Sequence, residues 1–187
     1  MREPLPQYLI HGHAIVSADD RIADAEGEAT PVLHNAADWE RFQAALDAAA
    51  VVILGRRGHE RHPNPHGRNR LVLSSSANGI ERREDAWWWN PTHANMDEAF
   101  AKAMPRGGVA AVVGGQRVFD YFLAPGYDRF ELSRIATVTL PGGVAIFSPV
   151  ATGFRAEDVL RAVGLRPSTS ELIDTEAQVT LTVWLPG

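Results

Sequence analysis

Cysteine is absent from this chain, which excludes disulfides, thiolate metal centres and thiol nucleophiles at once. Long apolar runs are missing too, and no stretch approaches the roughly 20 residues that cross a bilayer. The N-terminus, MREPLPQYLIHGHAIV, lacks the uninterrupted apolar core and small-residue cleavage site of a secretion signal. Positive charge is in deficit: a formal net charge of −5 argues against nucleic acid or an anionic membrane as the main partner. Internal repeats and low-complexity linkers are also lacking. What is present is ordinary for a globular chain, 45% hydrophobic and 22% charged over 187 residues. The expectation is one domain spanning 1–187, cytoplasmic by default.

The hydrophobic pattern alternates between strand and helix signals. Tyr8 to Ser17 reads as a strand, followed by a loop from Ala23 to Pro31 that carries Gly27 and no periodicity. Asn35 suits an N-cap, and Trp39, Phe42, Leu46 and Ala49 follow on one helical face. Val51-Val52-Ile53-Leu54, Leu71-Val72-Leu73 and Val109 to Val113 are short continuous runs of the kind buried on both faces of a parallel sheet. Arg56 to Arg70, broken by Pro63 and Pro65, reads largely as loop. Asp85 to Asn90 reads as a short strand, and Asn95 with Glu98 forms a capping-box pattern for a helix through Met104. Gln116 to Leu123 and Ala156 to Val163 read as helices, Phe130 to Leu140, Val144 to Phe147 and Val179 to Trp184 as strands. This order predicts an α/β fold with a mainly parallel central sheet, flanking helices and antiparallel C-terminal edge strands.

Two segments carry chemistry for a physical reason. In Val51-Val52-Ile53-Leu54-Gly55-Arg56-Arg57 a buried strand ends in glycine and two arginines, at the carboxyl end where open α/β sheets bind ligands. The guanidinium fork suits phosphate, although a solvated basic turn has the same composition. In Val112-Val113-Gly114-Gly115-Gln116-Arg117-Val118-Phe119 a strand turns through two glycines into a helix, so backbone N–H groups can approach a pyrophosphate. A tight strand-to-helix connection would look the same. Ser74-Ser75 end a third predicted strand. Hydroxyls and arginines gathered at one sheet edge suit the 2′-phosphate of an NADP cofactor.

The order "VVILGRRGHE … HGRNRLVLSS … AAVVGGQRVFDYFL … RFELSRI … GGVAIFSP" resembles dihydrofolate reductase and its relatives. The segment Ile15-Val16-Ser17-Ala18-Asp19-Asp20-Arg21-Ile22-Ala23 is more similar to another branch, the reductase domain of the bifunctional riboflavin-biosynthesis deaminase/reductase, with Asp20 in place of its glycine. The tail is also closer to that branch, and the zinc-binding deaminase half is absent from the sequence. The resemblance implies NADPH as cofactor, held by Ala23 of the lid, Gly55, Arg56, Arg57, Ser74, Ser75, Gly114, Gly115, Gln116, Arg117 and Val118. It implies Asp38 as the substrate-binding and catalytic carboxylate, with Val16, Phe42, Arg68 and Ser133 around the substrate. The activity implied is reduction of a pteridine or aminopyrimidine-like ring, of the 5-amino-6-(5-phosphoribosylamino)uracil reductase type. True dihydrofolate reduction and a non-catalytic nucleotide-binding role are the alternatives.

Several features have plainer explanations. Asp38 sits at the third position of a helix capped by Asn35, where a carboxylate favours the helix dipole. Its substrate role rests on the resemblance. His11 and His13 share a strand face without a third metal ligand, and read as a polar, hydrogen-bonded face. His59, His62 and His66 fit no zinc spacing, so no metal is expected. Trp87, Trp88 and Trp89 cannot all face one side of a strand, and one of them is expected at a homodimer interface.

Overall fold

A computed structural model describes residues 6–187; the first residues of the N-terminal segment read above for a secretion signal lie outside them. A sheet of nine strands runs β10-β11-β8-β1-β7-β3-β4-β6-β5. Its strands are β1 (Tyr8–Ser17), β3 (Val51–Gly55), β4 (Arg70–Leu73), β5 (Ile80–Arg83), β6 (Ala86–Trp89), β7 (Gly108–Val112), β8 (Arg129–Ile135), β10 (Leu165–Asp174) and β11 (Val179–Pro186). The centre, from β8 through β1, β7, β3 and β4 to β6, is parallel. Antiparallel pairs close both edges, β11 with β8 and β10 on one side and β5 with β6 on the other. A separate two-stranded ribbon joins β2 (Arg21–Ala23) to β9 (Val144–Ala145).

Helices cover both faces, as a parallel sheet requires. On one face lie α1 (Ala36–Ala48) and α2 (Arg56–Arg61). There Leu46 of α1 meets Val52 and Ala111. On the other face lie α3 (Met96–Ala103), α4 (Gln116–Tyr121) and α5 (Ala156–Ala162). Phe100, Phe119 and Leu160 from these helices join Ile53, Leu71, Val112, Phe130 and Trp89 in the main core. Val51 to Leu54 are buried without interruption because both faces of β3 are covered. The capping box at Asn95 and Glu98 is closed in both directions.

The structure corrects several expected boundaries. Arg56 opens a six-residue helix, so the basic segment is not loop throughout. β8 stops at Ile135, short of Leu140: Val138 N–H turns back to the Ile135 carbonyl at 3.4 Å, and Leu140 N–H donates to the Asp19 carboxylate. β5 has no apolar alternation and escapes pattern reading. It is held by Arg82 and Arg83, which lie over Trp87 and Trp88 at 5.7 and 4.6 Å. Trp89 is fully buried, Trp88 is nearly so, and Trp87 is half-buried under Arg82. The exposed tryptophan is Trp39 instead, 49% exposed at the start of α1. Among the described residues, no helix is long and apolar enough to cross a membrane.

Candidate active site

Because β1, β3, β4, β7 and β8 run parallel, their carboxyl ends share one edge of the sheet. The chain leaves β1 at that edge and enters α1 from it, which brings Asp38 to the same side as the β3 and β7 loops.

The β3 and β7 loops are joined directly. Gly55 N–H donates to the Gly114 carbonyl at 3.0 Å, and Val113 N–H to Ile53 at 3.0 Å. Gly114 has φ +106, and a Cβ there would reach within 2.9 Å of the Phe119 ring, so only glycine fits. The Gly114–Gly115 peptide is cis. Beyond it, a Cβ built on Gly115 meets nothing within 4 Å, so the loop presents bare backbone to open space. The Gly115 carbonyl accepts from Val118 and Phe119 and starts α4. Gln116 reaches across to the Ala145 carbonyl at 3.0 Å and ties that start to β9.

Cationic and hydroxyl groups surround this edge. Arg56 and Arg57 project from the first turn of α2, and Arg117 from that of α4; all three are exposed. Arg56 has only a loose contact with Glu60, at 3.8 Å. Among the described residues, Arg57 and Arg117 have no carboxylate partner. Ser74 folds its hydroxyl back onto Ser76 at the end of β4, and Ser75 is exposed beside it. Val118 is buried, packing beneath Gly55, so its contribution is to shape the loop. The loop from Asp24 to Thr30 lies over α2. The Asp24 carboxylate caps its turn, while Arg61 holds the Gly27 carbonyl at 2.8 Å and the Glu28 carboxylate. Ala23, at the base of this loop, is buried in the β2–β9 ribbon, its carbonyl against Gly143.

The second half of the site lies between α1, β1 and β8. Asn35 accepts from the Asp38 amide at 3.1 Å and donates to Asp174 at 2.8 Å, anchoring the helix start to the end of β10. Burial pushes the Asp38 carboxyl above its usual range; the Ser133 hydroxyl beside it acts in the opposite sense, Glu131 raises it further, and His13 and Arg41 lower it. Ser133 is itself buried. On the facing positions of the two strands, His13 pairs in register with Glu131 and Ile15 with Ser133. His13 Nδ1 lies 3.5 Å from Glu131 Oε2, and Phe42 covers the imidazole at 6.4 Å between ring centres. The hydrogen bond from His13, with Arg129 also donating, holds Glu131 down to about 2 against the cost of its burial.

Asp38 and Phe42 of α1 and Ser133 of β8 lie on facing elements of this region. Val16 is not among them. Alternation along β1 turns its side chain into the main core, and Ile15 lies on the opposite face, against Leu33, Ile135 and Val179. Arg68 sits at the far end of α1, bound through Nε and Nη2 to Asp47. Nine residues of helix put Asp47 about 13 Å from Asp38 along the axis. The polar face expected at His13 is present, and its partner is Glu131, which the sequence reading did not name. The available signal was that Glu131 and Ser133 alternate on one strand as His13 and Ile15 do on another, but only the register joins them.

No protein-family model matches this sequence, and no curated protein matches it. Solved structures do share its architecture. A protein described as a candidate riboflavin biosynthesis protein from Shewanella sp. PV-4 superposes with a TM-score of 0.68 at 17% identity, over 96% of this chain and 99% of that one. A dihydrofolate reductase from Enterococcus faecalis, complexed with NADP(H) and RAB-propyl, gives 0.66 at 18% identity over 97% and 98%. A diaminohydroxyphosphoribosylaminopyrimidine deaminase/5-amino-6-(5-phosphoribosylamino)uracil reductase from Thermotoga maritima gives 0.64 at 16% identity, covering 97% of this chain but 57% of that one. The chain has the dihydrofolate-reductase fold.

Proposed function

We propose that this protein is an NADPH-dependent reductase of a pteridine or aminopyrimidine-like ring. One observation carries the reading: the Gly55 and Gly114 loops are bonded together at the carboxyl edge of the sheet, with bare backbone at Gly115 and the cations Arg56, Arg57 and Arg117 around it. These residues fit a dinucleotide phosphate. Gly114 and Gly115 let the backbone approach it closely. Arg56 and Arg117, with Ser74 and Ser75, supply donors for a 2′-phosphate, and Gln116 holds the loop in place through β9. The fold is shared with a reductase solved with NADP(H), which supports the choice of cofactor.

When bound, such a cofactor supplies a hydride; the chain's own residues do the rest. Asp38, whose carboxyl takes up a proton more readily than an exposed one, anchors the ring and presents that proton toward a ring nitrogen. Ser133 fixes the carboxyl from the strand side, and Phe42 offers an aromatic face. The loop from Asp24 to Thr30, latched by Arg61, shields this edge from water. Arg68, spoken for by Asp47, is released to a substrate carboxylate only if that carboxylate displaces Asp47.

The test is a titration with NADPH and with NADH, followed by quenching of tryptophan fluorescence. Selective NADPH binding is expected. Changing Arg56 to Ala is expected to weaken NADPH by about ten- to a hundredfold, the worth of a charged hydrogen bond, and to leave NADH nearly unchanged. Equal loss for both cofactors refutes the phosphate assignment, and binding of neither refutes the reductase reading.

A further inference from the structure

β5 ends in an arginine that belongs to neither glycine loop, yet reaches back to the serine loop after β4. Arg83 lies over Trp88, with 4.6 Å between the guanidinium carbon and the ring centre. Its Nη1 donates to Ser76 Oγ at 3.2 Å and its Nη2 to the Ser76 carbonyl at 2.9 Å. Ser76 Oγ is in turn 2.8 Å from Ser74 Oγ. The guanidinium therefore stands within about 6 Å of the Ser74 hydroxyl, a gap that one hydrogen-bonded phosphate can span. Arg83 also opens onto a cleft of about 390 Å³ between α2 and the β5–β6 hairpin, lined besides by His59, Glu60, Glu84 and Trp88. Arg56 borders the α2 wall of this cleft, one helical turn before Glu60.

We propose that Arg83 is a further specificity-determining residue of the nucleotide site, contacting the cofactor's 2′-phosphate from the hairpin side while Arg56 contacts it from α2. The inference rests on the NADPH reading and adds to it a residue from a separate part of the chain. The two bonds to Ser76 use two of the five N–H groups of a guanidinium, so donors remain for an anion. The Trp88 ring and the Ser76 bonds hold the side chain in place beforehand, and little rotamer freedom is left to lose on binding. Each arginine keeps a carboxylate in the meantime, Glu81 on Arg83 and Glu60 on Arg56. A 2′-phosphate, with up to about two negative charges near pH 7, competes with these single charges. A nucleotide without that phosphate does not, and gains nothing from Arg83.

The experiment uses the full chain and two probes, adenosine 2′,5′-bisphosphate and adenosine 5′-monophosphate, titrated calorimetrically. The ratio of their affinities measures what the 2′-phosphate contributes. Arg83→Gln is expected to lower that ratio by about tenfold or more, the worth of a charged hydrogen bond, and to leave the monophosphate nearly unchanged. Arg83→Lys keeps a point charge without the planar fork and is expected to fall between the two. Ser76→Ala removes the hydroxyl that links Arg83 to Ser74 but leaves the guanidinium, and is expected to keep the larger part of the preference.

The outcomes separate this inference from the reading beneath it. If the unaltered protein prefers the bisphosphate and Arg83→Gln leaves that preference intact, or weakens both probes equally, the role of Arg83 is overturned and the cofactor reading stands. A loss in Ser76→Ala as large as that in Arg83→Gln also overturns it, because Arg83 then acts only by holding the serine loop. If the unaltered protein binds both probes alike, or neither, the phosphate assignment falls and this inference with it.

Discussion

Asp20 invites a quantitative test because its one position ought to reject an acidic residue on two counts. Its carboxylate has no solvent exposure, and its backbone is left-handed at φ +61. Both are accounted for by what it holds. Arg134 donates to Oδ1 through Nε and Nη2, Arg155 approaches Oδ2 at 3.2 Å, and the first amide of α5, at Ala156, donates to Oδ2 at 3.1 Å. The Asp20 carbonyl accepts from Ile146 as well. One residue therefore fastens the loop after β1 to β8, to α5 and to the segment after β9. Removing one partner of a buried ion pair costs about 3–5 kcal/mol, because the other charge is left uncompensated. Arg134 retains Glu157, which places the loss toward the lower end. Asp20→Asn keeps an acceptor and tolerates the left-handed backbone, so a loss of about 2 kcal/mol is expected. Asp20→Gly relieves the backbone but gives up every side-chain contact, at about 3 kcal/mol. Asp20→Ala gives up the contacts and adds about 1 kcal/mol or more of left-handed strain. The assay is thermal and urea unfolding of the series. At about 2–4 °C per kcal/mol for a chain of this size, the glycine variant is expected to melt roughly 6–12 °C below the parent. A glycine variant as stable as the parent would refute the ion-pair argument. An alanine variant more stable than the glycine one would refute the backbone argument.

Glu131 predicts a pH dependence. Its pKa is lowered from 4.5 to about 2, chiefly by the hydrogen bond from His13. A depressed carboxyl contributes stability above its unfolded value, and that contribution is lost as pH falls from 4.5 toward 2; at about 1.4 kcal/mol per pH unit it amounts to roughly 3 kcal/mol. Glu131→Gln should therefore be the less stable protein at pH 7, with the two unfolding curves converging below pH 4.5; a constant offset down to pH 2 would contradict this. Gly143 tests the base of the loop over α2: a Cβ there would stand 2.5 Å from the Ala23 carbonyl and 2.9 Å from that of Leu140. Gly143→Ala should cost about 1–3 kcal/mol through overpacking, with faster amide exchange at residues 21–28. Unchanged exchange there would show that the ribbon yields without cost.

Much of this architecture is written in contiguous residues. Val51 to Leu54 is a buried parallel strand because its β-branched run has no polar member to turn outward, and Asn35 and Asn95 start helices through bonds that span three residues. Such signals survive in any local reading, as does the placement of Gly55 and Gly114 at strand ends. Asp38 at the third position of α1 was equally legible. What could not be read is whatever depends on register or on distant partners. β5 pairs with β6, where Arg82 and Arg83 lie over its tryptophans, and beyond the end of β8 the Leu140 amide finds the distant Asp19 carboxylate.

The same division runs through the site. The buried central strands, the glycine turns and the cluster of arginines are local facts, since each follows from the side chains and backbone freedom of a few neighbouring residues. Three-dimensional pairing settles that Val16 faces the main core while Ile15 packs on the other face against Leu33 and Ile135, that Arg68 is taken by Asp47, and that His13 meets Glu131. The reason is the period of a β-strand: one residue of register exchanges the two faces of the sheet, and register is set by pairing between strands far apart in the chain.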